Sequence, residues 1–257
     1  MDATLHTDIG DDGVAVLTLD RPARRNALTG DMWAALPKLL DELAADPRVR
    51  ALVLTGAGAT FCAGADIEEL RATYAHPADA DAFHAVNVAA EEALAGFPRP
   101  TVAAVDGACV GGGAQLAVAC DLRFAAAGAY FAVPPARLGV VYPASATVRL
   151  AQLVGPARAK YLLYSAAAVD AARAYAYGLV DEVVDRDVRA RACEFAAGLA
   201  ANSAQTLGAA ADVLRAFEAG RDPAAAAAPW ERRSRTDGDV HEGLTAFLER
   251  RPPRFHH

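Results

Sequence analysis

The sequence predicts an α/β fold with its strands early and its helices late. Three observations carry this. Up to residue 133, β-type apolar runs and helical patterns repeat in a strand–strand–helix rhythm. Everything after Val188 reads as helix. Between them lies a glycine turn, DGACVGGGAQL over 106–116, flanked by the apolar run 101–105 and the alanine-rich run 116–119. The rhythm is not the βαβ crossover of a doubly wound sheet. The 257 residues are read as a core over 1–195 and a helical C-terminal region over 196–257.

In chain order, residues 14–19 are a β-type run that ends in Asp20-Arg21-Pro22. The loop RPARRNAL follows. Residues 31–45 form an amphipathic helix with Trp33, Leu36, Leu40 and Leu43 on one face, and Pro37 leaves a kink or a late start open. Residues 50–55 are the next strand, 66–71 begin a helix with acidic residues at its start, 72–80 read as a Pro-broken loop, and 82–96 as a helix. After the strand at 101–105 and the glycine turn come strands at 122–125 and 130–133. Helices are expected at 145–154, 156–164 and 170–177, then a strand at 179–184. Residues 201–205 join two helices, 221–229 are a linker or short helix, and 239–250 a final amphipathic helix.

A net charge of −7 argues against nucleic-acid or membrane-surface binding, because nothing neutralises phosphates in bulk. Anion binding must then come from local basic clusters. Cys62, Cys109, Cys120 and Cys193 form no CxxC pair and have no histidine at ligand spacing. That suggests neither a metal site nor a disulfide framework, and it fits reduced thiols in a cytoplasmic protein. The start, MDATLHTDIGDDG, is not patterned as a signal or transit peptide, and no apolar run has membrane-spanning length. His256 and His257 read as native or as a tag remnant.

Three adjacent glycines cost chain entropy, so packing alone explains Gly111 to Gly113 poorly. They let the backbone approach a ligand, with the first amides of a helix pointing at it. A second glycine-containing stretch, TGAGATFCAGADI over 55–67, follows the strand at 50–55. It is no dinucleotide fingerprint, since phenylalanine stands where the third glycine belongs, and neither a P-loop nor a G-x-S-x-G elbow occurs.

FCAGADI, VDGACVGGGAQLAVACD and FAVPPARLGVVYP, with LDRPARRNAL before them and LVGPARAKYLL, GLVDEVV and EGLTAFLERR after, span nearly the whole chain. In order and spacing they resemble the enoyl-CoA hydratase/isomerase (crotonase) superfamily. The resemblance implies a crotonase-like spiral of ββα units with a helical C-terminal region that mediates trimer formation, as a homotrimer or a dimer of trimers. It implies an acyl-CoA thioester as substrate, with CoA as part of it and no separate cofactor. It also implies an oxyanion hole made by the amides of Ala65 and Gly112, which would hold a thioester enolate. Arg24 and Arg25 match the phosphate-side loop, and Ala63, Asp66 and Ile67 fall in the adenine-contacting segment. Phe247 and Arg250 match positions that reach a neighbouring subunit's CoA.

One departure shapes the expected chemistry. The two glutamates of family hydratases align with Gln115 and Pro135. An amide cannot exchange a proton, and proline offers nothing polar. The syn-hydration machinery is therefore absent. Tyr142, in LGVVY, sits in a context similar to methylmalonyl-CoA decarboxylase-like members, and decarboxylation needs no general base. His84 is a candidate proton donor, and Ser145 a polar pocket residue. The readings left open are a decarboxylase-like lyase, a weak hydratase or isomerase, and a non-catalytic acyl-CoA-binding homologue.

Overall fold

The computed structural model describes residues 4–255, so the expectation for His256 and His257 lies outside the described residues. Strand β1 (Leu5–Ile9) pairs antiparallel with β2 (Val14–Leu19), and a short 3-10 turn at Pro22–Arg24 leads to helix α1 (Gly30–Ala45). Strand β3 (Ala51–Gly56) is followed by α2 (Ile67–Thr73), α3 (Pro77–Ala95) and β4 (Thr101–Val105). Next come β5 (Ala108–Val110), α4 (Gly112–Ala119), β6 (Leu122–Ala126), β7 (Tyr130–Ala132) and the single turn α5 (Pro135–Leu138). Helices α6 (Ala144–Val154) and α7 (Pro156–Ser165), strand β8 (Val169–Asp170), α8 (Ala171–Tyr177) and β9 (Glu182–Val184) close the core. The C-terminal part is α9 (Val188–Ala200), α10 (Ala204–Glu218), α11 (Pro223–Ser234) and α12 (Asp239–Glu249). Helix α9 spans the boundary expected between residues 195 and 196.

The spiral shows in the strand pairing. One sheet has the order β1-β2-β3-β4-β6-β9 and is parallel beyond the first hairpin; a smaller one has the order β5-β7-β8. A strand of the large sheet leads into one of the small sheet at β4–β5 and again at β6–β7. Each such pair is followed by helix. Period-2 alternation decides which face each side chain enters. Ala15, Leu17, Leu19, Leu52, Leu54, Ala103 and Val105 join the main core with Trp33, Leu36 and Leu40 of α1. Val14, Val16, Ala51, Val53, Val102 and Ala104 face the other way, onto Val188, Ala192 and Ala196 of α9. Both faces are covered, as a parallel sheet requires.

Several expectations need correction. Residues 5–9 form an edge strand although they alternate poorly, because an edge needs only backbone pairing on one side. Helix α1 runs through Pro37. The loop expected over 72–80 shrinks, because Pro77 starts α3 at a position where a missing N–H costs nothing. The strand expected at 179–184 pairs only from Glu182. Ahead of it, the buried Arg123 guanidinium takes the Leu179 carbonyl at 2.9 Å, and Asp181 accepts from the Arg123 amide at 2.8 Å. Of the linker or short helix left open for 221–229, the structure has a helix, extended over 223–234 and capped by Asp222, which accepts from the Ala224 amide at 2.9 Å.

Candidate active site

Two loops meet at one cleft. The first is the extended segment after β3. Cys62 bonds β5 on one edge, donating to the Ala108 carbonyl at 2.8 Å and accepting from the Val110 amide at 2.9 Å. On the other edge Leu28 donates to the Gly64 carbonyl and accepts from the Asp66 amide, both at 2.8 Å. Gly64, at φ +104°, switches the segment from one edge to the other. In this parallel bridge the Ala65 N–H points away from Leu28, toward the side of residues 108–112.

The second loop is the glycine turn. Gly111 has φ +52° and ψ −111°, a conformation that favours glycine, and caps α4. A Cβ on Gly64 would lie 3.7 Å from the Gly112 nitrogen, and one on Gly111 would lie 3.9 Å from the Gly64 Cα. The two backbones are therefore in contact. Among the described residues, neither the Ala65 nor the Gly112 N–H has a hydrogen-bond partner. Both residues line one open cleft. Two unpaired amides on partly buried residues at one cleft are donors that a ligand there can take up.

The other two glycines of the run explain the tight packing. A Cβ on Gly112 would meet the Trp33 indole at 2.9 Å. One on Gly113 would meet the Cys62 carbonyl oxygen at 2.6 Å and its Cβ at 2.7 Å. Gly113→Ala must therefore push the two loops apart. A loss of about 1–3 kcal/mol in unfolding free energy is expected from such overpacking. Denaturant titration that shows no loss would mean the loops are not in contact.

The cleft walls are apolar: Trp33, Ile67, Leu70, Phe83, Val110 and Leu138 among them. Among the described residues its lining holds no aspartate or glutamate, and Tyr74, His84 and Tyr142 are the lining side chains able to exchange a proton. Pro135, the N-terminal residue of α5, lines it as well. Gln115 does too, but its amide is engaged: Nε2 donates to Asn87 Oδ1 at 2.8 Å and to Glu91 Oε2 at 2.9 Å. The expected carboxylate-free pocket thus has a carboxylate one hydrogen bond behind its wall. Glu91 is fully buried on α3, where it also accepts from Ser145 Oγ at 2.8 Å and pairs with Arg149 at 2.6 Å. Ser145 therefore belongs to this buried network; it is not among the cleft-lining residues.

Tyr142 reaches the cleft with its hydroxyl committed. It donates to the Gly111 carbonyl at 3.0 Å. Burial, with Glu91 and Cys109 nearby, pushes its phenol well above the ordinary tyrosine value, so the donor stays protonated.

Of the expected CoA contacts, Ala63 and Ile67 line the cleft. Arg25, in a left-handed conformation, donates to the Tyr130 hydroxyl at 2.6 Å, and its carbonyl accepts from the Ala63 amide at 3.0 Å. The exposed Arg24 pairs with Glu68 at 3.5 Å. Asp66 caps α2 and takes both Arg21 nitrogens at 3.1 Å. Partial burial works to raise its carboxyl, but Arg21 and the amides of Glu69 and Glu68 outweigh that and hold it below the usual aspartate value. Phe247 and Arg250, exposed on and just after α12, do not line the cleft of their own chain.

Sequence reading missed Asn87 and Glu91. Their only signal was a pair of polar residues one helical turn apart on a helix whose neighbouring face is apolar.

Comparison with known proteins gives one consistent result. The sequence model described as enoyl-CoA hydratase/isomerase matches residues 10–257. A Thermus thermophilus protein named as an enoyl-CoA hydratase is 39% identical, over 94% of this chain and 97% of its own. The crotonyl-CoA hydratase of Syntrophomonas wolfei is 33% identical over 94% of each chain. The crystal structure of an enoyl-CoA hydratase/isomerase family protein from Hyphomonas neptunium superposes with a TM-score of 0.94 at 38% identity. It covers 100% of this chain and 98% of that one.

Proposed function

We propose a function from one premise: the chain belongs to the enoyl-CoA hydratase/isomerase family, whose members process acyl-CoA thioesters on this fold. The reading is an acyl-CoA lyase that works through a thioester enolate and uses no carboxylate base. Decarboxylation of a 2-carboxyacyl-CoA is the favoured reaction. The observation that carries it is the cleft lining. Gln115 and Pro135, which the resemblance sets at the positions of the hydratase glutamates, both line it, and the Gln115 side-chain amide is already bonded to Asn87 and Glu91.

In this mechanism the thioester oxygen sits between the N–H groups of Ala65 and Gly112. The bond from Cα to the carboxylate breaks, CO2 leaves, and its electron pair passes into the enolate, whose charge grows at that oxygen. Fixed amides stabilise this charge without reorganising. A proton then returns to Cα, with His84 at the cleft as candidate donor. A lining without carboxylates avoids repelling the substrate's own carboxylate. Tyr142 supports the reaction from the same cleft without exchanging a proton. Arg24 and Arg25 offer the cationic side for CoA phosphates, with Ala63, Asp66 and Ile67 toward the nucleotide. Phe247 and Arg250 would serve a neighbouring subunit's CoA in a trimer or dimer of trimers.

Relatives named as hydratases favour a second reading, slow hydration of an enoyl-CoA. Mass spectrometry of purified protein with methylmalonyl-CoA, malonyl-CoA and crotonyl-CoA separates the two. Loss of CO2 is expected from a carboxyacyl-CoA, with crotonyl-CoA hydrated poorly. Brisk hydration without any CO2 loss would overturn the proposal, and no turnover of any acyl-CoA would leave a binding protein.

A further inference from the structure

We propose that Tyr142 is a positioning residue for the Gly112 amide, acting through the peptide unit that joins Gly111 to Gly112. The inference rests on the enolate reading above and adds to it how one of the two donors is held.

The Gly111 carbonyl and the Gly112 N–H are opposite ends of one planar peptide group. Whatever fixes the carbonyl fixes the direction of the N–H. Flanked by glycine on both sides, this plane is poorly restrained by its own chain, because neither neighbour has a Cβ to limit rotation. Two hydrogen bonds hold it instead. The Gln115 backbone N–H donates to the Gly111 carbonyl at 2.9 Å, as the first turn of α4 requires. The Tyr142 hydroxyl donates to the same oxygen at 3.0 Å, from a loop 31 residues further along. The helix alone satisfies the carbonyl, so the second bond is not needed for backbone pairing. Its effect falls on the peptide plane and on its polarity. A donor at the carbonyl draws electron density from the nitrogen and makes the N–H a stronger donor, more so in an apolar cleft.

This also settles what one hydroxyl can do. It carries a single proton, and that proton lies on the Gly111 carbonyl. Tyr142 therefore does not donate to a substrate carboxylate at the same time. Other lining side chains keep uncommitted donors: Trp33 Nε1, the Tyr74 hydroxyl and the His84 ring have no partner among the described residues, and Asn87 keeps a free donor as well. Its Oδ1 accepts from Gln115, and among the described residues its Nδ2 has no partner and is not sealed from solvent.

The test is the infrared stretch of a carbonyl-13C-labelled butyryl-CoA bound to the wild type and to Tyr142→Phe, read with kcat and KM for the acyl-CoA found to turn over. In the wild type the stretch should fall below that of free thioester. In Tyr142→Phe it should move back toward the free value. There kcat should drop by about tenfold, the rate equivalent of roughly one hydrogen bond, with KM within about twofold. A lowered wild-type stretch that the variant retains, with unchanged kcat, overturns this inference alone. A wild-type stretch equal to that of free thioester overturns the enolate reading along with it. Should Tyr142→Phe fail to fold, 3-fluorotyrosine at position 142 supplies a more acidic hydroxyl. It should lower the stretch further, and an unmoved stretch is again the contrary result.

Discussion

Glu91→Ala is expected to cost about 3–5 kcal/mol of unfolding free energy, the range for breaking a buried ion pair by removing one partner. Glu91 is fully buried and satisfies three side chains at once: Arg149, Ser145 and Gln115. Its loss leaves Arg149 with Glu92 at 3.0 Å, while Ser145 loses its acceptor and Gln115 keeps only Asn87. The pieces come from α3, α4 and α6, so the damage is to the docking of three helices behind the cleft. Urea unfolding of Glu91→Ala and Glu91→Gln checks this. The glutamine variant keeps an acceptor and should lose less. A loss under about 1 kcal/mol for alanine would be the size of an exposed ion pair and would mean the network is not sealed.

The largest effect on turnover is expected from removing the Ala65 N–H. Replacing the amide by an ester, with lactic acid at position 65, deletes the hydrogen and keeps the methyl group. Among the described residues that N–H bonds nothing, so the fold should lose little. In the proposed reaction, losing one such donor should lower kcat by about 10²–10³-fold. Binding of a CoA thioester should change far less, because the charge develops only in the transition state. An equal fall in affinity would instead make Ala65 a ground-state contact. Unchanged kcat would remove it from the mechanism.

The fold was largely legible because its signals are local and periodic. Short apolar runs marked β2, β3 and β4, which are buried on both faces, and Trp33, Leu36, Leu40 and Leu43 at helical spacing marked the buried side of α1. What was missed is weakly patterned. The edge strand β1 is polar and exposed at its three central residues, with only Leu5 and Ile9 packing on the core, and β8 is two residues long. The meeting of Ala65 and Gly112 was legible only through motif order, since nothing in either stretch encodes contact with the other. The Glu91 network was not legible as a network. Its members lie at 87, 91, 115, 145 and 149, and no spacing rule joins residues brought together by packing.

The central claim is that the amides of Ala65 and Gly112 converge on one thioester oxygen. A crystal structure with a bound acyl-CoA tests this most directly. It should place that oxygen about 2.7–3.1 Å from both nitrogens, with the acyl chain against Trp33 and Phe83. An acyl-CoA lying elsewhere, or a thioester oxygen bonded to neither amide, would contradict the account.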